Sequence, residues 1–160
     1  MADLVVERHV EASPDALYAL VSDVTRMGDW SPETTSCRWL GGSIGPTAGA
    51  RFRGNNRKGW RRWSTTCTVV EATPGKRFAF DVVVAGVPIA HWAYEFTAEG
   101  GGCRVAESWE DRRPMVMRRV DPLVMGIPDR VAHNRANIER TLEALDRAAS
   151  VAGGARPAHP

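Results

Sequence analysis

Lysine is nearly missing from this chain. Lys58 and Lys76 are the only two among 21 basic residues, so arginine supplies almost all of the positive charge. Surface ion pairs, an anionic partner or a GC-rich genome would each produce that bias, because arginine pairs readily with carboxylates and other anions. The formal net charge is only +2, which argues against a broad basic field for gripping nucleic acid.

Cysteine is scarce as well. Cys37, Cys67 and Cys103 are odd in number, far apart and without a C-x-x-C pair. That pattern argues against a disulfide framework and for reduced, partly buried thiols. The four histidines form no H-x-x-x-H, no Cys/His cluster has metal spacing, and no G-x-S-x-G is present. A metal site and a triad hydrolase are therefore not expected, and neither is a cofactor. No apolar run approaches the roughly 18 residues of a membrane span, and the first residues lack the basic-then-apolar order of a signal peptide. The expectation is a cytoplasmic protein without membrane insertion.

What is present is an ordinary globular composition. With 160 residues, 43% hydrophobic and 25% charged, the chain suits one domain, placed at residues 1–150, with a disordered tail over 151–160. A first strand ends at Val10-Glu11-Ala12. Ser13 can cap the free amides of the next turn, and Pro14 suits a first helical position. Leu17, Leu20, Val21 and Val24 then recur at helical spacing. Beyond Pro32, strands are expected at 37–40, 50–53, 60–71, 78–82, 90–97 and 103–111. Reversals at 55–59, Pro74-Gly75 and Gly100-Gly101-Gly102 join them into an antiparallel meander. From Pro128 the period changes to about 3.6. Val131, Asn134, Ile138, Leu142 and Leu145 mark one face of a helix of roughly 20 residues, ended by Gly153-Gly154.

Several local features occur in a telling order. They are Ser13-Pro14, Trp30-Ser31-Pro32, the Trp63 strand leading to Pro74-Gly75, Phe78-x-Phe80, and Trp92-x-Tyr94-x-Phe96 before the glycine hairpin. Over roughly residues 3–149 the chain resembles the START-like (birch-pollen-allergen-like, helix-grip) superfamily, specifically its polyketide cyclase/dehydrase and lipid-transport branch. The resemblance implies an α+β fold, with a curved antiparallel sheet of about seven strands wrapped on the long C-terminal helix. It also implies two short helices after the first strand, adjacent first and last strands, and an apolar cavity between sheet and helix.

Residues two apart on a strand share a face. Trp92, Tyr94 and Phe96 lie together, as do Phe78, Phe80 and Val82, and Val105, Glu107 and Trp109. With Trp39, Phe52 and Trp63 they are expected on the concave face, either filling a core or lining a cavity for flat or acyl ligands. Glu107 is the polar exception, and loss of hydration should raise its pKa unless a cation is near. Arg8 shares the parity of Val6 and Val10. It could pair with Glu107, as a structural ion pair or as a polar anchor of the pocket. His133 opens the last helix near the expected cavity mouth, whereas His9 and His91 point away. Met115 and Met125 fall in the connection before that helix, as an adaptable lid or as ordinary loop packing. The stretch from Arg57 to Trp63 interleaves charge and aromatics. Its place at a hairpin favours a solvated tip with inward tryptophans over a single-strand nucleic-acid site.

The leading expectation is binding or carriage of a hydrophobic small molecule: a lipid, a polyketide or another aromatic metabolite. One alternative is a polyketide cyclase/dehydrase-type enzyme, with Arg8, Glu107, Tyr94 or His133 beside an enolising carbon. A protein-interaction module is the other. No specific nucleic-acid partner is expected, and the protein should be a monomer or weak dimer.

Overall fold

The computed structural model describes residues 1–154. Its elements are β1 (Leu4–Val10), α1 (Pro14–Ser22), a 3₁₀ turn (Val24–Asp29), β2 (Thr34–Leu40), β3 (Arg51–Lys58), β4 (Arg61–Thr73), β5 (Arg77–Val84), β6 (Val87–Glu99), β7 (Gly102–Asp111), α2 (Met115–Met125) and α3 (Arg130–Gly154). Seven strands form one antiparallel sheet in the order β1-β7-β6-β5-β4-β3-β2. Strands β2 to β7 are the meander that short turns dictate, and β1 closes against β7 rather than against its neighbour in sequence. Irregular pairing near Ser36, Val69 and Val82 bends three of the strands. The fold is an α+β helix grip.

Local chemistry sets the first helix. Ser13 Oγ accepts from the Ala16 amide at 3.2 Å, and Pro14 occupies the first turn. Asp23 then accepts from the Thr25 amide at 3.2 Å. This local bond stops α1 and starts a tighter turn, so the second short helix is a 3₁₀ segment rather than an α-helix. Leu17, Val21 and Val24 are buried with Val105, Phe78, Ile138, Leu142 and Leu145 in one core. Tyr18 meets Phe78 and Phe96 edge-on, with centroids 6.5 and 6.1 Å away. The closure of β1 on β7 depends on Gly102, where a Cβ would lie 2.4 Å from the Val10 carbonyl oxygen. Gly102→Ala is expected to lower stability by about 2 kcal/mol, because backbone must move. An unchanged urea midpoint would show that β1 has room to yield.

Three stretches depart from the sequence reading. Asn55 and Asn56, expected in a turn, pair with Ser64 and Trp63, leaving only Gly59-Trp60 as the reversal. Their amides are satisfied across strands, as in the 2.9 Å bond from Ser64 Oγ to Asn55 Oδ1. The connection after β7 contains the helix α2, despite Pro122. Its signal was Met117, Val120, Asp121 and Val124 at helical spacing. Helix α3 runs to Gly154, so residues 151–154 belong to it rather than to a tail. Residues 155–160 lie outside the described residues. Among the described residues, no helix is long and apolar enough to cross a membrane.

Candidate functional site

Helix α3 packs mainly on β1, β7 and α1, so it does not cover the whole inner face of the sheet. A pocket of about 360 Å³ lies over the remainder. Five consecutive strands contribute six aromatic wall residues: Phe52 from β3, Trp63 from β4, Phe80 from β5, Trp92 and Tyr94 from β6 and Trp109 from β7. Met117, Val120 and Val124 of α2 line it as well, with Asn134, Ile138 and Thr141 of α3. The aromatics support one another. Phe52 and Phe80 stand 5.3 Å apart, and the Trp92 and Trp109 rings are 6.4 Å apart.

The glycine hairpin fixes what sits beside what. Pairing of Glu99 with Gly102 puts Trp92 opposite Trp109 and Tyr94 opposite Glu107. Tyr94 Oη donates to Glu107 Oε1 at 2.8 Å. Glu107 is only 3% exposed, and among the described residues its Oε2 has no hydrogen-bond partner. Burial raises the carboxyl from an ordinary 4.5 to about 8, although the hydrogen bond from Tyr94 pulls the other way. The phenol of Tyr94 is pushed well above its ordinary value, by burial first and by Glu107 second. At neutral pH the pair is therefore largely uncharged. Cys37 and Cys67 also line the pocket, and burial lifts them to about 11 and about 12, so both remain thiols.

Charge gathers where α2 and α3 leave the sheet. Arg113, 9% exposed, donates to Asp111 at 2.6 and 2.8 Å and to Asp121 at 2.6 Å. Asp121 also accepts from Arg130. Three elements, β7, α2 and α3, are thus tied together beside the pocket, which Arg113, Asp121 and Arg130 line. Sequence reasoning missed this network. Its signal was the recurrence of Asp and Arg at both ends of the 111–130 connection, which invites ion pairing once that connection is helical.

Residues 1–149 match the family described as polyketide cyclase / dehydrase and lipid transport. The chain belongs to this family of the START-like superfamily. Among solved structures, the polyketide cyclase-like protein Cgl2372 of Corynebacterium glutamicum is 30% identical, with a TM-score of 0.62 over 98% of this chain and 96% of that one. Protein CV1439 of Chromobacterium violaceum shares the fold at 13% identity, with a TM-score of 0.69 over 91% and 96% of the two chains. DynU16, from the dynemicin biosynthetic locus, does so at 18% identity and a TM-score of 0.60, over 90% of this chain and 45% of its own. Among proteins with curated functions, none matches.

In this family member, four expected site residues fall outside the pocket wall. Arg8 faces the helix side, but it stands opposite Val105 and binds Asp146 through two 2.9 Å contacts, not Glu107. A partly exposed carboxylate on α3 requires less desolvation than one buried under the sheet. Trp39 packs edge-on to Phe52 at 5.7 Å and buttresses it from outside the wall. Met115 opens α2 at 70% exposure, pointing to solvent, and Met117 and Met125 take the lining role. His133 Nε2 lies 2.7 Å from Glu33 Oε1, clasping α3 to the segment before β2. Glu33 lines the pocket, whereas His133 does not.

The basic hairpin also differs in one respect. Trp63 points inward as expected, but Trp60 occupies the turn itself and is 82% exposed. Residues in the turn escape strand alternation. The Arg61 guanidinium stacks 4.6 Å from the Trp60 ring centroid and donates to the Val124 carbonyl at 2.9 Å. Lys58 Nζ reaches the Gly126 carbonyl at 3.4 Å. Among the described residues, no group of three or more His, Cys, Asp or Glu side chains could hold a metal ion.

Proposed function

We propose that this protein binds a hydrophobic small molecule in the pocket between sheet and helices. The observation that carries this reading is the convergence of six aromatic side chains, from five consecutive strands, on one apolar hollow. A volume of about 360 Å³ is near the lower end of small-molecule sites, which run from roughly 300 to 1,000 Å³. It suits a few fused rings or a short acyl chain better than a whole phospholipid. Burying about 200 Å² of such a ligand contributes roughly 5 kcal/mol before ordering costs are subtracted, so unoptimised ligands should bind at micromolar concentrations.

Titration with polycyclic aromatics, flavonoids and fatty acids should change tryptophan fluorescence saturably. Trp92→Ala should weaken binding about tenfold, through lost stacking and area. His91→Ala should leave it unchanged, because His91 lies on the opposite face, bonded to Asp81 at 2.6 Å. No saturable signal with any class, or equal effects of the two substitutions, would contradict the reading.

One observation supports an enzymatic alternative. Glu107 borders the pocket with a pKa of about 8, in the range where a carboxyl can exchange protons near neutral pH. Slow turnover of a folded poly-ketone, lost in Glu107→Gln while binding persists, would establish it. Three free cysteines, two of them buried, support a reducing compartment such as the cytoplasm. Nucleic acid is a poor fit, because two of the four hairpin cations, Lys58 and Arg61, are already engaged by the end of α2.

A further inference from the structure

The Tyr94–Glu107 pair holds one hydrogen too many for the protein to satisfy. A neutral carboxyl and a phenol carry two O–H hydrogens between them. That of Tyr94 is used on Glu107 Oε1. The other then belongs to the carboxyl and, with Oε1 accepting, sits on Oε2, which has no partner. A buried donor without an acceptor is costly, so the missing acceptor is the feature to explain.

The surroundings do not supply it. On β7 the neighbours of Glu107 on the same face are Val105 and Trp109, and on β1 its opposite number is Val6. From α3, Asn134 and Thr141 line the same pocket uncharged, and Thr141 Oγ1 already donates to the Asn137 carbonyl at 3.0 Å. Arg113 and Arg130 are both bound to Asp121, although Arg130 Nε has no partner among the described residues; Glu33 is held by His133 and Arg8 by Asp146. Among the described residues, an ionised Glu107 therefore has no cation paired with it either. The terminal torsion of a glutamate is soft, so a small rotation turns the carboxyl hydroxyl toward the pocket that Glu107 borders.

We propose that this pair seats an uncharged oxygen of the ligand, a ketone, ester, lactone or ether oxygen, and that the pocket selects neutral oxygen-bearing ring systems over hydrocarbons, carboxylates and amines. The inference rests on the pocket being a ligand site and adds the chemical class that fits it. A hydrocarbon leaves the hydroxyl unpaired. A carboxylate meets two lining cations, Arg113 and Arg130, that are already paired with Asp121. An amine must ionise Glu107 and take two charges out of water.

Four ligands on one skeleton test this: 2-acetylnaphthalene, 2-ethylnaphthalene, 2-naphthoate and 2-(aminomethyl)naphthalene, measured by equilibrium dialysis. Near pH 6.5 the ketone should bind roughly tenfold more tightly than the ethyl compound, the worth of one good hydrogen bond. The acid and the amine should both be weaker than the ketone. Raising the pH to about 9 should erase the ketone's advantage while the ethyl compound holds steady, because the carboxylate no longer donates. Glu107→Gln, whose amide still donates, should keep the advantage at every pH, and Glu107→Leu should abolish it. A naphthoate or amine that binds best, an ethyl compound equal to the ketone near pH 6.5, or a ketone advantage intact in Glu107→Leu would each overturn the proposal. Hydrocarbon binding without ketone preference would leave the pocket reading standing. Failure of all four to bind would remove both.

Discussion

The stability of Glu107→Gln relative to the parent protein is expected to rise steadily with pH above about 5. The sign follows from proton linkage. The carboxyl has its ordinary pKa near 4.5 when unfolded and about 8 when folded, so between those values the folded state holds the extra proton. Raising the pH then favours the unfolded state, by up to about 1.4 kcal/mol per pH unit. The effect levels off above pH 8 at several kcal/mol. Glutamine keeps the acceptor for Tyr94 and carries no charge, so it escapes this loss. Urea midpoints of the two proteins, measured from pH 5 to 9, should diverge steadily and then run parallel. Parallel curves throughout would mean that Glu107 is hydrated or paired.

Arg113→Ala should have the largest destabilising effect outside the apolar core, about 3 kcal/mol. Removing the guanidinium takes the principal cation from two carboxylates, Asp111 and Asp121, that are 10% and 14% exposed, leaving Asp121 to Arg130 and Asp111 to a longer 3.6 Å contact with Arg118. It also loosens α2 on the end of β7, where Arg118 still donates to the Asp111 carbonyl at 2.6 Å. Burial alone would raise the pKa of Asp111. The hydrogen bonds and charge of Arg113, with Arg118, outweigh burial and hold it below the ordinary value. A depressed carboxyl contributes stability above its unfolded pKa and loses it as pH falls through the folded one. The cost of Arg113→Ala should thus be constant near neutral pH and shrink below about pH 4. A cost under about 1 kcal/mol in a denaturant melt would mean that water already screens the network.

The sheet was legible because its turns are explicit. Pro74-Gly75 and the three glycines at 100–102 set strand limits, and alternation assigned Phe80, Trp92, Tyr94 and Trp109 to the correct face. The same glycine hairpin also encodes the Tyr94–Glu107 pairing, since counting back equally from Gly100-Gly101 brings those two residues level. That step was within reach of the sequence. Arg8 shows the limit of parity, which chooses a face but not a partner. Asp146 lies 138 positions away on α3, and no local pattern says where the last turns of that helix come to rest. Helix α2 was hidden for a different reason. Pro122 reads as a breaker, and the apolar stripe of α2 covers a pocket mouth instead of a core, so none of its residues is fully buried.

The indole N–H signals of the six tryptophans offer the most direct test of the central claim. Trp63, Trp92 and Trp109 line the pocket, whereas Trp60 is exposed at the hairpin tip. With saturating 2-acetylnaphthalene, nuclear magnetic resonance should show the first three shifting together along one binding curve while Trp60 stays in place. A shift confined to Trp60, or six unmoved signals at saturating ligand, would contradict a ligand site between the sheet and its helices.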